Sequence, residues 1–222
     1  MALNLNLDEL LGDSGGSSGA ASGDHGGVPS SGKDLFAVRE RRAWRKGEDS
    51  LAEARCDFTF RPRLVPRMGL WFFALWQKSV MGRTLTDIKS DDAMVDFFAR
   101  EVGQFLLDVL RPRVEDVQMP LDGGGWALVT SPKRRHKERN FATRICQTMA
   151  PMLGVPFYED AACCHSRHRM NAVFEPGNIP EERNVIVFDD FVTTGQTMRS
   201  MVNLLAPYGK NLLLVTGINN KL

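Results

Sequence analysis

One run, Val185-Ile186-Val187-Phe188-Asp189-Asp190-Phe191-Val192-Thr193-Thr194-Gly195-Gln196-Thr197, constrains this chain more than any other. Four consecutive apolar residues, Val185–Phe188, suit a central strand of a parallel sheet, buried on both faces. Two acids follow, and then a Thr/Gly turn opens a helical segment that reaches about Ala206. Open α/β sheets bind ligands outside the carboxyl ends of their strands, so this order puts Asp189 and Asp190 where a ligand sits. Backbone N–H groups of Thr194–Thr197 can wrap a phosphate, and the helix N-terminus adds its positive end. Gly195 lets the backbone turn and approach closely. The hydroxyls of Thr193, Thr194 and Thr197 add donors. Two consecutive carboxylates can accept hydrogen bonds from a vicinal diol. A phosphate beside a diol describes a ribose 5-phosphate group.

The rest of the chain supplies a frame for that strand. Gly123–Gly125 leads into an apolar run, Trp126–Thr130, and two further runs, Val155–Tyr158 and Asn211–Thr216, have strand character. Helical segments separate them. Asp91–Leu110 carries Met94, Phe97, Phe98, Val102, Phe105, Leu106 and Val109 at three- and four-residue steps, one apolar stripe. Ser90 is expected to cap it and Arg111-Pro112 to end it. A basic loop and helix from Pro132 to about Leu153 place Phe141, Ile145 and Met149 on one face. Strands alternating with helices predict an α/β domain with a mainly parallel sheet flanked by helices.

Three regions follow from composition. Residues 1–33, with Gly and Ser dominating Gly12–Gly32, read as a flexible leader. Residues 34–84 read as a helical and aromatic N-terminal extension or hood. It holds a charged helix at Asp34–Glu53, an extended stretch at Cys56–Arg67, and the aromatics Trp71, Phe72, Phe73 and Trp76, whose default place is core or interface. Residues 85–222 read as the domain that carries the motif.

A net charge of +1 gives no overall pull toward nucleic acid or membrane, so any such partner needs a local cluster. The apolar stretch Leu70–Trp76 is too short to span a bilayer. The N-terminus shows no basic region followed by an apolar run, as a secretion signal would. The four cysteines form no C-x-x-C pair. Cys163, Cys164, His165 and His168 have no familiar zinc spacing. A cytoplasmic protein with reduced thiols and no metal-binding residues of its own is the expectation.

The motif resembles the phosphoribosyl-diphosphate (PRPP) signature of the type I phosphoribosyltransferases: four apolar residues, two acids, two variable positions, then Thr-Thr-Gly-x-Thr. The resemblance implies the phosphoribosyltransferase-like fold. It implies that Asp189 and Asp190 hold the ribose hydroxyls and that Thr193, Thr194, Gly195, Gln196 and Thr197 hold the 5-phosphate. In that fold the loop after an early strand holds the diphosphate, which points to Ser131, Lys133 and Arg134. The wording is most similar to the ComF-like subgroup. Arg139-Asn140-Phe141 stands where that subgroup has an Arg-Gly-Phe-Asn-like segment. Ile88-Lys89-Ser90 resembles its Leu-Lys-Tyr opening, and Arg167–Phe174 its Arg-x-x-Asn and Ala-Phe segment. The likeness covers roughly Leu85 to Thr216, and the subgroup's N-terminal zinc ribbon is missing.

On this reading PRPP binds with Mg2+ carried mainly on its own oxygens. A nitrogen acceptor, unidentified here, attacks C1 of the ribose as diphosphate leaves. Asp190 is the carboxylate assigned to the developing positive charge. Arg167, in a flap around His165–Arg169, meets the leaving diphosphate. Two other classes stay open: a module that senses PRPP or nucleotides without turnover, and a ComF-like partner of nucleic acid working through Arg61–Arg67 and Lys133–Arg144. A homodimer also stays open.

Overall fold

The computed structural model describes residues 54–110, 125–132, 140–164 and 174–220. The leader, the charged segment Asp34–Glu53, the basic run 133–139 and the flap residues 165–173 lie outside them. Ten strands and four helices are described: β1 (Arg55–Cys56), β2 (Arg63–Arg67), β3 (Leu70–Gln77), β4 (Arg83–Thr84), α1 (Leu85–Ser90), α2 (Ala93–Leu110), β5 (Trp126–Thr130), α3 (Phe141–Leu153), β6 (Phe157–Tyr158), β7 (Ala162–Cys163), β8 (Glu175–Pro176), β9 (Asn184–Val192), α4 (Gln196–Leu205) and β10 (Asn211–Asn219).

Six of the strands form one sheet in the order β2-β3-β10-β9-β5-β6. Only β2 runs antiparallel to its neighbour; every other pair is parallel. The architecture is therefore the mostly parallel, helix-flanked sheet expected from the strand–helix alternation. Leu70–Gln77 belongs to this same sheet, beside β10, so the sheet continues across residue 84.

Burial on both faces explains the unbroken apolar run of the motif strand. Ile186 and Phe188 face a core built with Phe98, Val102 and Leu106 of α2 and Ile145 and Met149 of α3. Val185 and Val187 face the opposite core, with Met198, Met201 and Leu205 of α4. The period-two alternation assigns each residue to its side. Phe188 is fully buried, and truncating such a side chain costs about 3–5 kcal/mol.

Several boundaries differ from the sequence reading: the last strand runs on from Thr216 to Asn219, β6 is only Phe157–Tyr158, and two further differences lie near the motif. β9 does not stop at Phe188: it continues through Asp189 and Asp190 to Val192, because β10 keeps pairing with it (Thr216 opposite Asp189, Ile218 opposite Phe191, Asn219 opposite Val192). Backbone ladders are indifferent to side-chain charge, so an acid pair need not end a strand. The long helix begins at Ala93 and not at Asp91. Ser90 closes α1 instead, donating its hydroxyl to the Asp87 carbonyl at 2.9 Å. Asp91 supplies the acceptor for the next helix, with its Oδ1 2.9 Å from the Ala93 N–H.

The aromatic stretch divides between core and surface. Phe72 and Trp76 are fully buried, whereas Trp71 is 61% exposed. Trp76 packs with Phe58, Phe97 and Phe98, and Phe98 and Phe141 pass the packing on to Phe191 of the motif. This aromatic layer forms a rigid floor beneath the acid pair.

Candidate functional site

On the β5 side of β9 the pairing ends at Thr130–Phe188, while on the β10 side it runs on to Val192. Asp189 and Asp190 therefore emerge where one flank of the strand has just opened. Thr130 secures that point by donating its hydroxyl to the Phe188 carbonyl at 2.9 Å. The next residue, Ser131, turns toward the acids, its Oγ 3.3 Å from Asp189 Oδ1. Two of the expected site elements, Ser131 and the acid pair, are thus brought together by strand geometry. Lys133, Arg134 and Arg167 lie outside the described residues.

The two acids have different surroundings. Asp190 is buried, its Oδ1 accepting the Phe191 N–H at 2.8 Å and its Oδ2 lying 2.6 Å from Lys89 Nζ. Lys89 sits in the last turn of α1, and its ammonium also stands 4.5 Å from the centre of the Phe191 ring. Asp189 is half-buried, and its Oδ1 accepts both the Ser131 hydroxyl and the Asp190 N–H. Burial first, and then the negative charge of Asp190, push its carboxyl up from the ordinary value to about 8, with Lys89 acting in the other direction. Asp189 can thus donate a proton at neutral pH, and a cation or cationic ligand placed beside it would drive that proton off. Beneath the pair, Cys146 of α3 is fully buried, and burial pushes its thiol well above the usual range; it is an inert core group.

Beyond the acids the chain makes the expected turn. Gly195 has φ +85° and stands at the N-terminus of α4, with no side-chain cap. Thr193, Thr194 and Thr197 are exposed, and Gly195 is buried. The Gln196 N–H donates to Thr194 Oγ1 at 3.3 Å, and the Asn220 side-chain amide donates to Thr193 Oγ1 at 3.2 Å. Three exposed threonines thus flank the opening turn of a ten-residue helix. That arrangement can hold a phosphate.

Asn140, from the Arg139-Asn140-Phe141 segment, caps α3, its Oδ1 accepting the Thr143 N–H at 2.9 Å. The segment with His165–Arg169 leaves the described structure at β7 and returns at β8, and the two pair antiparallel (Ala162 opposite Pro176). Arg144 is paired with Asp92, its Nη1 2.7 Å from Oδ1.

Lys89, Asn219 and Asn220 carry no role in the sequence reading, and Arg67 enters it only through the nucleic-acid alternative at Arg61–Arg67. Arg67 ends β2, and its Nη2 donates to Asn219 Oδ1 at 2.8 Å. Lys89 belongs to the Ile88-Lys89-Ser90 segment, but nothing in its sequence neighbours indicates a pairing with Asp190.

No family model matches this sequence, and no curated protein matches it. Solved structures do show a likeness. An adenine phosphoribosyltransferase is 17% identical with a TM-score of 0.41, covering 73% of this chain and 87% of that one. The Saccharomyces cerevisiae adenine phosphoribosyltransferase, solved with an imino-altritol bisphosphate and adenine, is 16% identical with a TM-score of 0.41, covering 73% and 86%. That of Thermoanaerobacter pseudethanolicus is 14% identical with a TM-score of 0.40, covering 73% and 98%. At such identities and TM-scores these likenesses say nothing of a shared activity.

Proposed function

We propose that this chain binds PRPP and transfers its ribose 5-phosphate to a nitrogen acceptor, releasing diphosphate. One observation carries the reading: Asp189 and Asp190 lie in β9 just past the point where its pairing with β5 ends, and the Thr193–Thr197 turn follows two residues later into the N-terminus of α4. An accessible carboxylate suited to a diol and a turn suited to a phosphate are thus a few residues apart on one edge of the sheet. Asp189, open to solvent on one side and next to Ser131, is the carboxylate best placed for a ribose hydroxyl. Asp190 acts from below, with Lys89, as the buried charge that fixes the field at the sugar.

In the transfer, the bond from C1 to the diphosphate oxygen breaks and a bond from the acceptor nitrogen to C1 forms. The diphosphate leaves with the electron pair, and the acceptor loses its proton. Hard carboxylate oxygens suit Mg2+, and Asp189 is the residue that would share an ion brought in on the ligand's own oxygens. Such an ion would neutralise the leaving group.

Calorimetry with PRPP, with and without Mg2+, tests the binding. The wild-type chain is expected to bind and Asp189→Asn to bind at least tenfold more weakly; equal affinities would overturn the assignment of the acids. Release of diphosphate should then be followed across purines, pyrimidines and amines. Binding without release on any acceptor would leave a sensing module and remove the transferase reading.

A further inference from the structure

The hairpin β2–β3 turns through two residues, Met68 and Gly69, both at positive φ (+52° and +71°). This tight turn delivers Arg67 to the phosphate loop. A Cβ on Gly195 would stand 2.8 Å from Arg67 Cβ, so the arginine stem lies directly against the glycine of the turn. A Cβ on Gly69 would stand 3.3 Å from Arg199 Nη2, in the first turn of α4, so the hairpin tip lies against the helix start at a second point.

The bonding of Arg67 is incomplete. Nη2 donates to Asn219 Oδ1 and Nη1 to the Pro66 carbonyl, both at 2.8 Å. Its Nε is shielded from solvent and has no hydrogen-bond partner among the described residues. Nor does the Oδ1 of Asn220, a residue buried beside Asn219 whose amide already holds Thr193 Oγ1. Buried donors without partners are costly to keep, and such groups are retained where something else completes them. A guanidinium with an unmatched donor, lying on the glycine of a phosphate turn, is suited to a phosphate oxygen.

We propose that Arg67 is a specificity-determining residue that completes the 5-phosphate site from outside the motif, selecting the phosphomonoester dianion. The proposal rests on the PRPP reading above. Arg67 anchors the hairpin through Asn219 and reaches the ligand with the rest of its fork. Asn220 sets the hydroxyl of Thr193 for the same phosphate.

The test uses the full chain with ribose 5-phosphate and with PRPP, titrated calorimetrically from pH 5.5 to 7.5. A phosphomonoester gains its second charge near pH 6, so wild-type affinity for ribose 5-phosphate is expected to climb several-fold over that range. Arg67→Met should bind both ligands at least tenfold more weakly and lose most of the climb. Arg67→Lys, which keeps the charge and loses the fork, should restore the climb in part. A merely structural arginine would weaken binding equally at every pH; that outcome, or wild-type affinity in Arg67→Met, overturns the proposal. If Arg67→Met does not fold, Arg67→Lys alone decides by its affinity: an unchanged value overturns the proposal, and a loss of tenfold or more supports it. Wild-type protein that binds neither ligand would instead remove the PRPP reading, and the role of Arg67 would fall with it.

Discussion

Lys89 Nζ lies 2.6 Å from Asp190 Oδ2, joining the last turn of α1 to the motif strand. The Asp190 side chain is 10% exposed and the Lys89 side chain 42%. The pair is therefore half sheltered: its buried member depends on a partner that water still reaches. Removing one partner of a fully buried pair costs about 3–5 kcal/mol, and solvent access to Lys89 lowers the expectation for Lys89→Met to about 1–3 kcal/mol. Urea unfolding measures it. Because Lys89 also holds the Asp189 carboxyl down, the same variant should raise the pH at which Asp189 titrates.

Asp189 should make stability depend on pH. Its carboxyl is raised in the folded chain from 3.8 to about 8, so between those values the native state keeps a proton that the unfolded chain releases. Stability from this group is fully present below about pH 4 and is lost as the pH climbs through about 8. Asp189→Asn removes the dependence. Relative to wild type, the variant should gain stability from pH 5 to pH 8.5 in matched denaturant melts; a constant difference would contradict the environment described for Asp189.

Ligand binding should move the same proton. A cation-bearing ligand beside Asp189 favours its charged form. Binding of Mg2+ with PRPP at pH 7 is therefore expected to release close to one proton. Calorimetry in buffers of differing ionisation enthalpy reads the number directly, and Asp189→Asn should bring it near zero.

Gly195→Ala combines two costs. A residue with a side chain at φ +85° is strained by about 1–3 kcal/mol. The new methyl would also stand 2.8 Å from Arg67 Cβ. Lower thermal stability together with at least tenfold weaker binding of ribose 5-phosphate is expected.

Asn140→Ala separates capping from ligand binding. Losing the bond to the Thr143 N–H should cost about 1 kcal/mol. PRPP affinity should stay within about twofold of wild type, since Asn140 is occupied by α3.

Local signals were legible where the physics is local. Trp126–Thr130 is a strand with the boundaries its apolar run suggests, set by glycines before it and Ser131-Pro132 after it. The turn at Gly195 and the helix after it follow from residue types at fixed spacing. Partners distant in sequence were not legible. Arg67 and Asn219 are 152 residues apart, and only the meeting of β2, β3 and β10 brings them together. Lys89 reaches Asp190 because α1 packs Leu85 and Ile88 into the core, an orientation no local pattern specifies. The contrast between the acids has the same origin: two identical residues side by side differ because successive side chains of a strand point to opposite faces. Asp189→Asn is therefore a cleaner probe than an exchange of both acids, since Asp190 is buried and its loss would leave Lys89 unmatched.

The strand order also bears on how the molecule is made. β10, the last described strand, lies between β3 and β9. During synthesis the hairpin emerges early yet has no sheet neighbour until that strand leaves the ribosome. Such distant parallel pairings form slowly and leave an unpaired edge open to aggregation meanwhile. The bond from Arg67 to Asn219 has to wait for β10, so a nascent chain halted before Asn211 would hold both acids and still lack the residue that ties the hairpin to them.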